Sequence, residues 1–407
     1  MQKRFTPDAG GVFPEWEEVT LGDILEINPK TEEKIADEFY YADLASINNG
    51  VFIHGIAINH NEAPGRAQRV VHIDDVLFQS VNAENLGHYH YTKDKELDKQ
   101  FVASTGFFLL QMKNGCNAFL YQLLFTKAFN QEVHKYSAGS IYPAINITEF
   151  KKIKVRIPKS IEEQRKIAAA LTAYDEMIAV KTAKLETWQE CKKRMVKEIF
   201  GRTKRFKDDD GKAFPEWEEK TLGEITEYVR NGYSYKPDGV RTHKYKVTRI
   251  ETISTGKINP EKLGSCEECD EKYLLKPGDI LYSNINSLSY LGNTAIYKNS
   301  SEKIYHGMNL LCIRPKSGDI DADYLFAFLN SEAAKKFVKY NAQRAVNQCS
   351  IKVSDVRNMK IPLPCMAEQQ KIGSFLAEID KEIEIQKEFI KTYAEGKKRM
   401  MMELMEG

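Results

Sequence analysis

Phe13-Pro-Glu-Trp-Glu-Glu-Val-Thr-Leu-Gly-Asp-Ile24 returns 201 residues later as Phe214-Pro-Glu-Trp-Glu-Glu-Lys-Thr-Leu-Gly-Glu-Ile225, with ten of twelve positions identical. The chain therefore reads as two copies of one design. Two further pairs close the copies: Glu163-Gln-Arg-Lys-Ile167 with Glu368-Gln-Gln-Lys-Ile372, and Lys192-Lys-Arg-Met195 with Lys397-Lys-Arg-Met400. A repeat of about 200 residues is far longer than a solenoid repeat, so it marks two whole modules.

Composition sets the class. The 407 residues are 42% hydrophobic and 29% charged, as in an ordinary globular protein with room for two to four domains. No charged start followed by an apolar run, and no stretch of about 18 apolar residues, is seen, so a cytoplasmic protein without a membrane span is expected. Seven cysteines are scattered, and only Cys266-Glu-Glu-Cys269 is closely spaced. A lone pair of this kind lacks the partners zinc needs, so no metal is assigned.

The net charge of +1 argues against a uniformly basic coat, yet charge is segregated locally. Arg230, Lys236, Arg241, Lys244, Lys246 and Arg249 face one acid, Asp238, and Tyr228, Tyr233, Tyr235 and Tyr245 are interleaved. Lys151, Lys152, Lys154, Arg156 and Lys159 form an acid-free run; Lys192 to Lys207 is a third basic stretch, with Glu198 as its one acid, and reads either as a solvated helix end or as a contact surface.

After each Glu-Gln mark the pattern turns helical. Ile167, Leu171, Tyr174, Ile178, Leu185, Trp188, Met195 and Ile199 fall on one heptad seam, interrupted by Lys181 and Lys192. The second copy gives Ile372, Leu376, Ile379, Ile383, Ile390, Tyr393, Met400 and Leu404, interrupted by Gln386 and Lys397. About five heptads predict a coiled coil, and matching polar interruptions predict a specified register. Before the helices, Asp75 to Asn82 and Asp279 to Asn286 alternate apolar and polar residues as half-buried strands do. Asn117 to Tyr136 and Asp321 to Tyr340 read as paired short helices, and Pro158 and Pro364 end extended segments. The expected class is α+β: two mixed α/β domains, 1–160 and 203–365, each followed by a long helix, 161–202 and 366–407. The frames agree and the interiors differ, which fits one kind of ligand with two sub-sites.

With Trp16 to Gly22 and Trp217 to Gly223 opening the copies, and Pro158 with Glu163-Gln164 and Pro364 with Glu368-Gln369 closing them, the chain resembles the DNA specificity subunits of type I restriction-modification enzymes. The first copy departs from the Ile-Pro-Leu-Pro ending of the second. The resemblance implies two target-recognition domains in pseudo-two-fold arrangement, separated by two long antiparallel coiled-coil helices. It implies a chain without catalysis of its own that reads a split, asymmetric site on double-stranded DNA, with half-sites about one helical turn apart. It implies two methyltransferase and two restriction/translocase partners, with S-adenosylmethionine, ATP and magnesium on those partners and no cofactor on this chain.

Lys and Arg neutralise phosphates, whereas Arg, Asn and Gln can bond paired base edges. On that ground the DNA candidates are Arg66, Gln68, Arg69, Asn82, Asn85, His88 and His90 in the first domain. In the second they are Tyr233, Tyr235, Lys236, Arg241, Asn284, Asn286, Arg344, Asn347 and Gln348. Two other readings stay open: a self-sufficient DNA-modifying enzyme, disfavoured because no phosphate loop, glycine-rich cofactor loop or Asn/Asp-Pro-Pro-aromatic motif is found, and a coiled-coil scaffold for protein ligands. No catalytic residue is assigned. Glu218-Glu219-Lys220 has nuclease-like spacing but lies in the repeated frame, and His88-Tyr-His90 lacks a third ligand.

Overall fold

The computed structural model of the chain describes residues 4–48, 50–53, 57–137, 143–234, 245–298, 302–344 and 348–406. Two long helices dominate it, Ile161–Phe200 with 40 residues and Met366–Met401 with 36. At 1.5 Å per residue they are roughly 60 and 54 Å long. Among the described residues no helix is long and apolar enough to cross a membrane.

Compactness divides the chain midway along both helices. One unit is Met1–Lys181 with Glu388–Gly407, the other Thr182–Lys387. Each unit thus holds a mixed α/β domain, the start of the helix that follows it, and the end of the other helix. The helices were expected over 161–202 and 366–407; the division cuts through them. Burial explains why: Ile167, Ala168 and Leu171 share a core with Met401, Leu404 and Met405 in the first unit. In the second, Met195 and Ile199 share one with Ile372, Leu376, Ile379 and Ile383, with Leu185 and Trp188 packed against it.

Within each unit the paired helix segments run antiparallel, and seam polar residues find partners across them. In the first unit Lys397 Nζ lies 2.7 Å from both oxygens of Asp175, Tyr174 meets Tyr393 edge-on at 6.5 Å, and Lys181 Nζ sits 4.5 Å over the Phe389 ring. In the second Lys192 Nζ lies 2.5 Å from Asp380 Oδ1. Lys192 and Asp380 are the repeat counterparts of Lys397 and Asp175. A polar pair at an apolar seam costs stability unless matched, so it fixes register. Gln386 is buried with its Oε1 unpartnered, and has no such cross-helix bond.

The domains are built on one plan. The repeated opening strand pairs antiparallel with the strand that precedes each helix: Glu17–Thr20 with Lys154–Ile157, and Glu218–Thr221 with Lys360–Leu363. In the first domain one four-stranded sheet has the order Ile58–Asn59, Glu38–Ala42, Gln100–Ser104, Ala67–Val71, and a second the order Leu25–Ile27, Phe107–Met112, Val76–Gln79, Tyr89–His90. The second domain's main sheet runs Thr226–Asn231, Leu311–Pro315, Ile280–Tyr282, Thr294–Ile296. The paired short helices are Asn117–Leu123 with Lys127–Ser137, and Ala322–Leu329 with Glu332–Asn341. The second pair is opened by side-chain caps: Asp321 accepts from Tyr324 N and Ser331 from Ala334 N.

The strands expected to be half-buried are instead buried throughout. All of Val76–Gln79 and Ile280–Tyr282 is buried. Val76 and Phe78 enter one core and Leu77 another; Ile280 and Tyr282 enter one and Leu281 another. A sheet covered on both faces has no solvated side, so the alternation in these strands sorts two cores and not core from water.

Candidate nucleic-acid interface

The repeated marks build a clamp rather than a reading surface. Arg4 Nε and Nη2 each lie 2.9 Å from the carboxylate of Glu163, whose side chain is fully buried, and Nη2 also reaches Pro14 O. The second unit repeats this: Arg205 bonds Glu368 at 3.3 and 2.9 Å and the Phe214 and Pro215 carbonyls. Trp217 Nε1 donates to the same carboxylate at 2.9 Å, whereas Trp16 Nε1 is buried without a partner. Gln164 and Gln369 follow suit, donating to Pro158 O and Pro364 O at 2.8 and 2.9 Å. Phe-Pro-Glu-Trp and Glu-Gln recur because they fasten each domain to its helix. Arg4 was missed by the sequence reading, and Arg205 was read only as part of the Lys192 to Lys207 run, although Lys3-Arg4-Phe5 and Lys204-Arg205-Phe206 carry the same 201-residue spacing. Of the Lys192 to Lys207 run, Lys192 and Arg205 are thereby committed within the chain.

The residues that differ between copies gather at corresponding places. In the second unit the strands Ile285–Asn286, Cys349–Ser350 and Gln343–Arg344 form a small sheet in which Asn286 and Arg344 both register opposite Cys349, with exposed Gln348 beside it. Arg344 is exposed, and Asn286 is half-buried with its amide on Ser283 Oγ and Ser287 N. The first unit has the counterpart as a single bridge, Val81 with Ala144, and the flanking bonds repeat: Ile145 N to Ser80 O at 3.0 Å, Ile351 N to Asn284 O at 2.9 Å. Asn82 there takes the left-handed conformation, φ 51°, and its N–H donates to Pro143 O. The turn Thr105–Gly106 joins this place to Arg66: Thr105 N donates to Arg66 O, and Ser80 donates to Gly106 O. Arg66, Gln68 and Asn85 are exposed. Arg69, on the edge strand Ala67–Val71, is half-buried with Nε unpartnered, and burial without a carboxylate lowers its pKa.

The sequence of this chain matches, over residues 14–187 and again over 215–392, the family described as the type I restriction modification DNA specificity domain. The chain belongs to that family. A putative type I restriction enzyme MjaX specificity subunit from Methanocaldococcus jannaschii is 40% identical over 210 residues, covering 50% of this chain and 49% of that one. The MjaVIII specificity subunit of the same organism is 27% identical over 411 residues, covering 97% of this chain and 92% of the relative. Thus the chain spans about half of the first relative and nearly all of the second. A crystal structure of a type I S subunit from M. genitalium shares the fold, with TM-score 0.64 at 16% identity over 96% of each chain.

Three expected contacts of the specificity domains are corrected by burial. His88 is 0% exposed, stacked on Phe78 at 4.7 Å and 16°, with Nδ1 accepting from Gln79 N. It presents no edge to a duplex. His90 is 6% exposed and bonded to Asp74, which ties it to its own domain. Asn284 is 6% exposed, with its side-chain Oδ1 buried and unpartnered. Tyr233 packs on Tyr273 at 5.5 Å. Tyr235, Lys236, Arg241 and Asn347 lie outside the described residues.

His306 of the second unit is buried like His88, 1% exposed with Nε2 bonded to Leu310 O, and burial of the two imidazoles makes the specificity domains acid-sensitive. Desolvation lowers His88 from 6.5 to about 3, and His306 from 6.5 to about 4. The unfolded chain then binds protons that the folded one refuses. Their contribution is complete above pH 6.5 and is lost as pH falls toward 3 to 4, at a cost on the order of several kcal/mol in all. Thermal midpoints measured from pH 7.5 to 4 should fall, and His88→Gln should flatten the acid side of that curve. An unchanged slope in the variant would refute the assignment.

Proposed function

We propose that this chain is the non-catalytic DNA-reading subunit of a type I restriction-modification complex, each unit reading one half of a split, asymmetric site. The observation that carries this is the contrast inside a shared frame. The clamp of Arg4 with Glu163 recurs as Arg205 with Glu368, while the places around Ser80–Asn82 and Asn284–Asn286 present different donors. Arg66 and Gln68 stand on the first; Arg344 and Gln348 stand on the second. In this reading two methyltransferase subunits and two restriction subunits assemble on the chain in the cytoplasm and bring S-adenosylmethionine, ATP and magnesium with them. The chain contributes position and sequence choice, since phosphate contacts place a protein on DNA and base-edge contacts select the site.

The test is co-expression with a cognate methyltransferase subunit and mapping of methylated bases. One split motif supports the proposal. Methylation without the partner points to a self-sufficient enzyme, and no methylation with a competent partner refutes the DNA-reading role. A finer expectation follows: Arg344→Ala should relax one position of one half-site by about 1–3 kcal/mol, and Arg66→Ala should act only on the other half.

A further inference from the structure

Arg230 was not among the candidates, yet, like Arg69, it has a buried Nε without a partner, and unlike Arg69 it lies against two tyrosine rings. It lies on the strand Thr226–Asn231, two residues after Tyr228 and so on the same face. Its Cζ stands 4.0 Å over the Tyr228 ring and 5.3 Å from the centre of the Tyr273 ring. Nη2 donates to Lys272 O, while Nε is buried without a partner. The guanidinium is thus held in a fixed plane by two rings and one carbonyl.

A neighbour supplies the contrast. Arg314 shares the Tyr228 ring, at 4.9 Å, but its Nε and Nη2 bond the Asp279 carboxylate at 2.7 and 2.6 Å. That cation is satisfied within the fold. Arg230 has no carboxylate partner among the described residues, and the acid beside it, Asp270, is paired with Lys272 at 2.7 Å. The buried Nε is out of reach of any ligand, so an outside acceptor would meet the Nη groups, whose bond to Lys272 O is solvent-exposed.

Resting on the DNA-reading role proposed above, we infer that Arg230 is a base-reading residue of the second unit and that it selects guanine. Guanine offers O6 and N7 as adjacent acceptors in the major groove, which the paired N–H groups of an arginine match. A phosphate contact needs only a positive charge and tolerates a mobile side chain. A guanidinium held against two tyrosine rings and a carbonyl has lost that mobility in advance, which paired recognition requires and a point charge does not.

The experiment uses the full chain with its methyltransferase partner, selecting from randomised duplexes, for wild type, Arg230→Lys and Arg230→Gln. Both variants should lose preference for one G·C pair in one half-site by about ten- to a hundred-fold, with every other position unchanged. Arg230→Lys should keep the wild-type salt dependence, because its charge remains. Uniform weakening on all sequences with a shallower salt dependence would make Arg230 a phosphate contact and overturn the inference; so would an unaltered motif. If Arg230→Gln melts at the assay temperature, Arg230→Lys decides. Wild type that selects no split motif would instead refute the underlying DNA-reading role.

Discussion

Arg205→Met is expected to destabilise the second unit by about 3–5 kcal/mol, the cost of leaving a buried charge without its partner. Glu368 is fully buried, and without Arg205 it keeps, among the described residues, the indole N–H of Trp217. The same substitution frees the Phe214 and Pro215 carbonyls and releases the opening segment from the helix start. Glu368→Gln should restore part of the loss in the double variant, because removing both charges ends the mismatch. Denaturant unfolding of the two single variants and the double one measures the coupling. Additive losses would show that the pair is not a clamp. Arg4→Met should behave likewise in the first unit, with a difference: Trp16 Nε1 makes no bond there, so Glu163 loses its cation without a substitute.

Deleting residues 401–407 should have the larger effect on the first unit. Met401, Leu404 and Met405 are 8%, 6% and 9% exposed and belong to that unit's core. At about 1.5–3 kcal/mol for each buried side chain, their removal costs roughly 5–9 kcal/mol, an upper bound because the unfolded chain is not fully extended. Glu406 also caps the helix Lys127–Ser137 by accepting from Lys127 N and from Ala128 N at 3.3 Å. Domain stabilities lie near 5–15 kcal/mol, so limited proteolysis should open the stretch before residue 181 while residues 182–387 resist. Leu404→Ala alone should cost about 2–5 kcal/mol. Equal resistance of both units in the truncated chain would contradict the shared core.

Much of this frame was legible because its signals are local or repeated in type: heptad steps for the long helices, Asp321 for the start of a short helix pair, Pro158 and Pro364 for strand ends. The clamp was not, because it joins residues 159 and 163 apart, Arg4 to Glu163 and Arg205 to Glu368. Periodicity showed that each helix has a seam but not what covers it; half of each seam is covered by the other copy's helix end and domain. His88 was misplaced for a chemical reason. Imidazole counts as polar in a pattern, yet neutral it stacks on Phe78 like any ring. Of the reading surface, the residue types at Arg66, Arg344 and Gln348 were visible, whereas Arg230 needed the rings of Tyr228 and Tyr273 in three dimensions.

The division of the chain midway along its helices also sets an order of events during synthesis. Thr182–Lys387 is one uninterrupted stretch, so that unit has all its parts once residue 387 has emerged. The first unit, although begun earlier, needs Glu388–Gly407 to close its core. At about 5–20 residues per second, the apolar seat for Met401 and Leu404 stays open for roughly ten to forty seconds after the first 181 residues are made. The domain translated first is therefore the one completed last.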